Sequence, residues 1–262
     1  MRDDEAKGVE LMPSRKEKQM DTKKSLNQMA AVLFLVSIFL SLGAAVLPVV
    51  PASAAEKQEA EQLVEKARLT MESFMLESTM GAFRDLLKKS HGVMIVPDLL
   101  KGAFVVGVSG GNAVFLARDQ KSGQWSNPAF YTIGGASFGL QIGGQASEVI
   151  LLVMTERGIS SLLGNSLKLG GDVGVAAGPV GIGVAASTAN LSADILSFSR
   201  SRGLYGGVSL EGAVVAVRSG LNDAFYGRKT SPTDILIHRE VRNEMALRLM
   251  ENVKKSAAEN KG

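Results

Sequence analysis

The sequence has no cysteine, only two histidines and few aromatic side chains. Aromatic residues make up 5% of its 262 residues, with one tryptophan and three tyrosines. The absence of cysteine excludes disulfides, zinc–thiolate sites, cysteine nucleophiles and lipid attachment to cysteine. His91 at a strand entry and His238 on a helix are the available imidazoles, and both positions favour ordinary structural roles.

Strong charge is also missing. The formal net charge of +3 produces no field of the kind that attracts nucleic acid, and we expect no nucleic-acid partner. The sequence contains neither a phosphate-binding G-x-x-x-x-G-K-[ST] loop nor a G-x-S-x-G nucleophile elbow. It therefore predicts no catalytic residue, no metal and no cofactor, and a protein that is not an enzyme.

A long apolar segment lies near the N-terminus. No charge occurs between Lys24 and Glu56, and residues 30–47 are almost wholly apolar. Ala52-Ser53-Ala54 has the small-x-small pattern of a signal peptidase site, and cleavage there would leave 208 residues. Residues 1–54 are thus a signal peptide or, alternatively, an uncleaved inner-membrane anchor, with Met12 and Met20 as alternative starts to Met1. Either predicts an exported, periplasmic or envelope-associated bacterial protein.

The next segment has a helical pattern. Apolar residues recur at steps of three and four, which predicts an N-terminal amphipathic helix over 56–80: Ala60, Leu63, Val64, Ala67, Met71, Phe74 and Met75. Gly81 ends it, and a shorter amphipathic turn follows with Phe83, Leu86 and Leu87. Lys88 and Lys89 come last, where cations suit a helix C-terminus.

Residues 91–227 have the sequence pattern of a β core. Of the 29 glycines, 25 lie between Gly92 and Gly227, and they separate short apolar runs. Gly110-Gly111 predicts the turn of a hairpin, and Thr155 predicts the cap of a short helix. Strands that follow one another without long helices indicate antiparallel pairing. The predicted fold class is α+β, with a Gly-rich antiparallel core, barrel- or sandwich-like, between N- and C-terminal amphipathic helices.

Residues 231–262 predict a C-terminal helix. Ser231 is a candidate N-cap, with Pro232 in the first helical position and Asp234 in the first turn. Apolar residues then recur every fourth position: Ile237, Val241, Met245, Leu249 and Val253. The main domain accordingly spans residues 55–230.

Small-residue motifs in the core allow more than one interpretation. Residues 181–186 match G-x-G-x-x-A, but no helix pattern follows and Asp194 comes too early to bind a ribose, so the match is accidental. Gly170, Gly174 and Gly178, spaced by four, are typical of packed membrane helices and equally of a strand whose glycine face is closely covered. We favour the strand.

Three acidic residues, Asp172, Asp194 and Glu211, lie in apolar, small-residue surroundings. Carboxylates in such places need cations or several hydrogen-bond donors, and Arg200 and Arg202 are close in sequence. One interpretation is a structural ion-pair network within the core. The other is that the two arginines bind an anionic head group at the mouth of a pocket.

Residues 197–212, SFSRSRGLYGGVSLEG, resemble the SYLF domain family. The likeness extends from about residue 60 to 230, through HGVMIVPD at 91–98, KLGGD at 168–172 and AFYG at 224–227. It implies a non-enzymatic domain that binds phospholipids; some eukaryotic members bind phosphoinositides and actin. Two positions depart from the family pattern, since Ile182 and Ala189 stand where charged residues are common, which leaves this edge more apolar.

The resulting hypothesis is a phospholipid-binding module of the bacterial envelope, which would contact a membrane surface and would not meet actin. The alternative is a structural or self-assembling envelope protein without a specific lipid ligand, and a homo-oligomer fits either. Most cations in such a chain are solvated or structurally paired. The candidates for head-group binding are Lys88, Lys89, Lys101, Lys168, Arg200 and Arg202.

Overall fold

The computed structural model of the protein describes residues 52–103, 106–138, 143–181, 192–201 and 203–258. They belong to a compact unit that begins at Pro51. The apolar segment 30–47 lies outside the described residues, as do Ile182, Ala189, Arg202 and most of the G-x-G-x-x-A motif. Within the described part of the chain, no helix has both the length and the apolar character needed to cross a bilayer.

The chain begins with a helical arm. Helix α1 spans Ala52–Leu76, a 3₁₀ turn spans Ser78–Met80, and helix α2 spans Gly81–Lys89. The predicted helix over 56–80 therefore ends early, because Glu77 is extended and its carboxylate accepts the Thr79 N–H at 3.2 Å to start the new turn. The predicted apolar stripe is buried through Phe74. The expected break near Gly81 and the short helix after it are confirmed.

The described residues form one sheet of nine strands. They are β1 Gly92–Ala103, β2 Val106–Ala117, β3 Ala129–Phe138, β4 Gly143–Val153, β5 Ser166–Lys168, β6 Val175–Ala177, β7 Ile195–Ser201, β8 Leu204–Gly207 and β9 Val214–Val217. The spatial order is β5-β9-β3-β2-β1-β4-β7-β6, and β8 also pairs with β7. Pairing is antiparallel except between β6 and β7, which are parallel. The sheet is curled like part of a barrel, and helices lie on the N- and C-terminal sides of it in the chain. The predicted α+β class is therefore confirmed.

Both faces of the sheet are packed, which explains its long apolar runs. On one face α1 and α2 pack together with α4, Ser219–Tyr226, and α5, Leu247–Ala258. On the other face the sheet meets α3, Glu156–Leu162, and loop residues that include Leu210, Ile235 and Val241. Thr155 caps α3 as predicted, because its hydroxyl oxygen accepts the Gly158 N–H at 3.1 Å. Alternate residues of each central strand thus enter two separate cores.

The predicted hairpin turn at Gly110-Gly111 is wrong, because both glycines lie inside β2. Opposite them β1 has a bulge between Val96 and Leu99, which brings the Asp98 carbonyl against Gly111. A Cβ on Gly111 would overlap that carbonyl oxygen, whereas a Cβ on Gly110 would come no nearer than 3.8 Å to its neighbours. Gly111 is therefore required by a close backbone approach and not by a turn.

The glycines spaced by four lie in and around short strands. Gly174 and Gly178 flank β6, and Gly170 lies in the turn before it with φ +79°. A Cβ on Gly178 would overlap the buried ring of Phe198. The membrane-helix interpretation is thus wrong for these residues. Close covering holds at Gly178, but the three glycines do not share one strand.

The predicted continuous C-terminal helix is also wrong. Ser231 does cap a helical segment, but that segment is a single π turn, Asp234–His238. Arg239 then adopts a left-handed conformation with φ 58°, and Asn243 caps a new 3₁₀ turn, Glu244–Ala246, that leads into α5. Two of the apolar residues spaced by four, Ile237 and Met245, are therefore exposed and contribute nothing to the core.

The two adjacent glycines of β2 provide a test of the fold. We expect Gly111→Ala to lower the free energy of unfolding by about 1–3 kcal/mol, since the Asp98 backbone must move to accept the methyl group. Gly110→Ala adds the same methyl group without a close contact, so the free energy of unfolding should be unchanged or higher by about 0.5 kcal/mol. Urea unfolding of the two variants measures the difference, and equal stabilities would contradict the close approach.

Candidate functional site

Helix α1 crosses three neighbouring strands and covers only part of their length. Its residues contact β2, β1 and β4 in turn: Glu59 accepts from Asn112 at 2.7 Å, Lys66 pairs with Asp98 at 2.8 Å, and Ser73 donates to Glu148 at 3.5 Å. At its end the Tyr205 hydroxyl of β8 donates to the Ser73 carbonyl at 3.2 Å. These contacts mark a line across the sheet where the helical cover stops.

Beyond this line lies a sheet surface that no helix of the described residues covers. The first row of residues runs across six strands, and since paired residues of antiparallel strands share a face, all of them lie on the α1 side. These residues are Lys168, Val214, Gly134, Gly110, Leu100 and Ala146. A second row, two residues further on, contains Ala136, Val108, Gly102 and Gly144. We call this surface, apart from Lys168, the open face.

The open face is apolar and exposed. Leu100 is 60% exposed, Val108 62% and Val214 44%, while their neighbours are glycine or alanine. The surface between Leu100, Val108 and Ala146 is a shallow depression of about 730 Å³. A contiguous exposed apolar patch of this kind is typical of an interaction surface.

The predicted head-group cations do not converge on one place. Lys168 lies at the end of the first row, with an exposed side chain, and Arg200 lies beside the open face. Lys101 follows Leu100 on β1 and so starts from the opposite face of the strand, although it is among the residues that line the depression. Lys88 and Lys89 are at the C-terminus of α2, where Lys88 pairs with Asp85 at 3.4 Å. Arg202 lies outside the described residues.

Arg200 is engaged by its neighbours on the sheet. Its guanidinium donates to the Glu148 carboxylate and stacks over the ring of Tyr205 at 5.8 Å from the centroid. The hydrogen bond to Glu148 raises the pKa of Arg200 further. Sequence reasoning missed Glu148, since a single acid before a run of apolar residues gives no sign of its partner.

The three predicted acids have separate roles among the described residues. Asp194 is buried, and its carboxylate accepts the Thr155 hydroxyl at 2.6 Å and the Gly174 N–H at 2.9 Å. Asp172 is exposed and accepts the Lys168 N–H at 2.7 Å within a turn. Glu211 is exposed beside Gly170. They do not form the expected core network, and Arg200 pairs with none of them.

One group of potential metal ligands exists in the described part of the chain. Ligand atoms of Asp234, His238 and Glu240 lie within 4.8 Å of one another around the π turn. Both carboxylates have other contacts, because Asp234 accepts from Ser231 at 2.7 Å and Glu240 lies 3.6 Å from Arg228. These contacts stabilise the turn, in which Asp234 is partly buried while His238 and Glu240 are exposed.

The motif that carries the resemblance forms the β7–β8 hairpin and the segment after it. Gly203, with φ +77°, lies at its turn, and Ser197 donates from inside the sheet to the carbonyls of Ala176 and Val208. Tyr205 places its ring against Phe74 of α1, with centroids 5.1 Å apart. The motif therefore attaches the sheet edge to the helical arm beside the open face.

Comparison with known proteins identifies the family. Residues 134–256 match the model of the Ysc84 family, described as Las17-binding protein actin regulator. Residues 134–256, just under half of the chain, therefore form a domain of this family, also called the SYLF family. The match runs through α5, so the family domain includes the C-terminal helix that the resemblance left outside.

Curated relatives come from animals and yeast. Human SH3 domain-containing YSC84-like protein 1 is 33% identical over 153 residues, which are 58% of this chain and 44% of the relative. The Xenopus laevis protein of the same name is 34% identical over 145 residues, 55% of this chain and 43% of the relative. Yeast LAS seventeen-binding protein 3 is 33% identical over 159 residues, which are 59% of this chain and 34% of the relative. This SYLF chain thus spans less than half of each relative, and the names describe binding or regulatory proteins.

Asp194 allows a test of what positions β6 and α3. The Thr155 hydroxyl, followed by the Gly174 N–H and Arg157, lowers the pKa of Asp194 against the opposing effect of burial. A lowered folded-state pKa stabilises the protein above the unfolded value of about 3.9, and this stabilisation is lost as pH falls toward the folded-state pKa.

We expect Asp194→Asn to cost about 1–3 kcal/mol at neutral pH, since the amide removes one buried acceptor. The variant should also lose less stability than the parent as pH falls below about 4. Urea unfolding at neutral and acidic pH measures both effects. Asp85→Asn, an exposed change at a weak pair, is the control. A variant as stable as the parent at neutral pH would contradict the role assigned to Asp194.

Proposed function

We propose that this chain is a non-enzymatic phospholipid-binding module that contacts the membrane through the open face. The observation that supports this most directly is the continuous apolar surface around Leu100, Val108 and Val214, left uncovered by α1. Apolar side chains at such a position gain free energy when they leave water for the interfacial region of a bilayer. Lys168 at the border can contact lipid phosphates.

The binding would be driven more by apolar contact than by charge. Of the predicted cations, Arg200 and Lys88 pair with carboxylates, and Lys101 starts from the opposite face of its strand. Surface cations that already have partners contribute little to membrane attraction. Membrane affinity should therefore depend weakly on salt concentration.

Family membership is compatible with this proposal. Las17 binding and actin regulation are stated in the family description and in the name of the yeast relative, of which the chain covers 34%. We propose lipid and not actin as the partner, because the open face is apolar and offers few charges for a polar protein surface.

A second candidate is self-assembly in the cell envelope. Strand β8 lies at a sheet edge, and its Leu204 is 78% exposed. Exposed edges and apolar residues also favour contacts between copies of a chain. Sedimentation of the protein alone over a range of concentrations distinguishes this candidate from membrane binding.

The double variant Leu100→Ser, Val108→Thr tests the open face. Each change removes about 1 kcal/mol of apolar contact, so we expect vesicle affinity to fall roughly thirtyfold. Co-sedimentation with vesicles of mixed phosphatidylcholine, phosphatidylethanolamine and phosphatidylglycerol measures it. The control Leu247→Gln alters a residue that is 57% exposed on α5 and should bind like the parent. Unchanged binding by the double variant would refute the open face as the membrane contact.

We also propose that the chain is exported. The small-x-small residues Ala52–Ala54 lie in the first turn of α1. We expect the mature protein from a bacterial host to begin at Ala55, and N-terminal sequencing of the envelope fraction measures this. A chain that retains residues 30–47 would favour the anchor.

A further inference from the structure

A small cleft lies beside the open face, between the bulge of β1, strand β4 and the β7–β8 hairpin. It has a volume of about 280 Å³ and is lined by Pro97, Asp98, Ala146, Ser147, Glu148, Arg200 and Gly203. Ala146 also belongs to the open face, so the cleft opens directly beside the surface that we propose to contact lipid. A lipid with its acyl chains against the open face would bring its head group to this position.

Among the described residues, the charges in and beside the cleft balance. Arg200 pairs with Glu148 in the lining, and Asp98 of the lining pairs at 2.8 Å with Lys66 of α1. The Arg200–Glu148 pair is the more enclosed, with side chains 33% and 23% exposed, while Lys66 and Asp98 are 58% and 56% exposed. The described part of the chain therefore places two cations and two carboxylates at the cleft.

This balance disfavours a purely anionic head group. A phosphate could reach Arg200 only by displacing Glu148, and the displaced carboxylate would remain, half-buried, next to a second negative charge. A head group with both a phosphate and an ammonium avoids this cost, because its phosphate pairs with the cations and its ammonium pairs with the carboxylates. Every charge then keeps an opposite partner.

The cleft also favours a primary ammonium over a quaternary one. Quaternary ammonium ions are usually held against aromatic faces. Tyr205 is the aromatic residue beside Arg200, and that guanidinium already lies over its ring. The carboxylates of Glu148 and Asp98 instead offer hydrogen-bond acceptors, which suit the three N–H donors of an ethanolamine ammonium.

We propose that this cleft binds a phosphoethanolamine head group, with the phosphate at Arg200 and Lys66 and the ammonium at Glu148 and Asp98. The inference rests on the proposed function and specifies its lipid. It predicts selectivity for a zwitterionic lipid within a membrane that also contains anionic lipids.

The test compares three vesicles: phosphatidylcholine alone, phosphatidylcholine with phosphatidylethanolamine, and phosphatidylcholine with phosphatidylglycerol. We expect ethanolamine lipid to raise the affinity about fivefold over phosphatidylcholine alone, and glycerol lipid to raise it less. Equal affinity for all three would overturn the head-group assignment and leave the proposed function standing. Binding to none of them would refute the proposed function itself.

Glu148→Gln should reverse the selectivity. The amide keeps an acceptor for Arg200 and Ser73 but removes the charge that attracts the ammonium, so the cleft becomes net positive. We expect the ethanolamine preference to disappear and affinity for glycerol lipid to rise about fivefold. Glu251→Gln makes the same charge change on exposed α5 and should keep the parental preference. An unchanged preference in Glu148→Gln, with an unchanged melting temperature, would overturn the proposal.

A soluble compound distinguishes the membrane from a free ligand. Glycerophosphoethanolamine has the same head group without acyl chains, and it can be titrated by calorimetry against the parent protein. Since it makes no contact with the open face, we expect it to bind at least roughly tenfold more weakly than the vesicle lipid. Equal affinity would assign the cleft to a soluble ligand and overturn its role at a membrane.

Discussion

The packing of α1 across the sheet is the contact on which the rest of the structure depends. Every central strand alternates between two cores, so both faces of the sheet must be covered. Helix α1 crosses the strands and covers one face only as far as Glu59, Lys66 and Ser73 reach. Beyond that line the same strands continue without cover from any helix that the structure describes. The open face and the charged cleft are both consequences of where this helix lies.

Apolar burial holds α1 on the sheet, since Met71 and Phe74 are fully buried beneath it. Exposed polar contacts contribute less and add to the register of that packing. Lys66 pairs with Asp98 at the bulge in β1, where the lack of a side chain on Gly111 leaves room for the Asp98 carbonyl. The β7–β8 hairpin completes the arrangement, since Tyr205 contacts both the backbone and a ring of α1.

Local patterns in the sequence predicted the elements whose cause is local. The helix over most of 56–80, the cap at Thr155 and the capping contact of Ser231 were confirmed, because periodicity and capping act within a few residues. The turn at Gly110-Gly111 and the continuous C-terminal helix were wrong for the opposite reason. Gly111 is required because a carbonyl of another strand approaches it closely. The interruption after His238 involves equally distant partners: the Arg239 side chain and the Asn243 backbone N–H donate to the loop before β3, and the Asn243 side chain donates to the Phe225 carbonyl of α4.

The candidate site could be predicted only in part, since a charge in the sequence does not show its partner. Arg200 was chosen with Asp172, Asp194 and Glu211 nearby in sequence, yet it pairs with Glu148 on a neighbouring strand. The exposure of Leu100 and Val108 was equally unpredictable, because an apolar residue in a strand is normally assigned to the core. Strand register decides both questions, as it brings Glu148 opposite Arg200 and extends Leu100 past the last contact of α1. A cation count thus overstates the electrostatic attraction of this domain and misses its apolar surface.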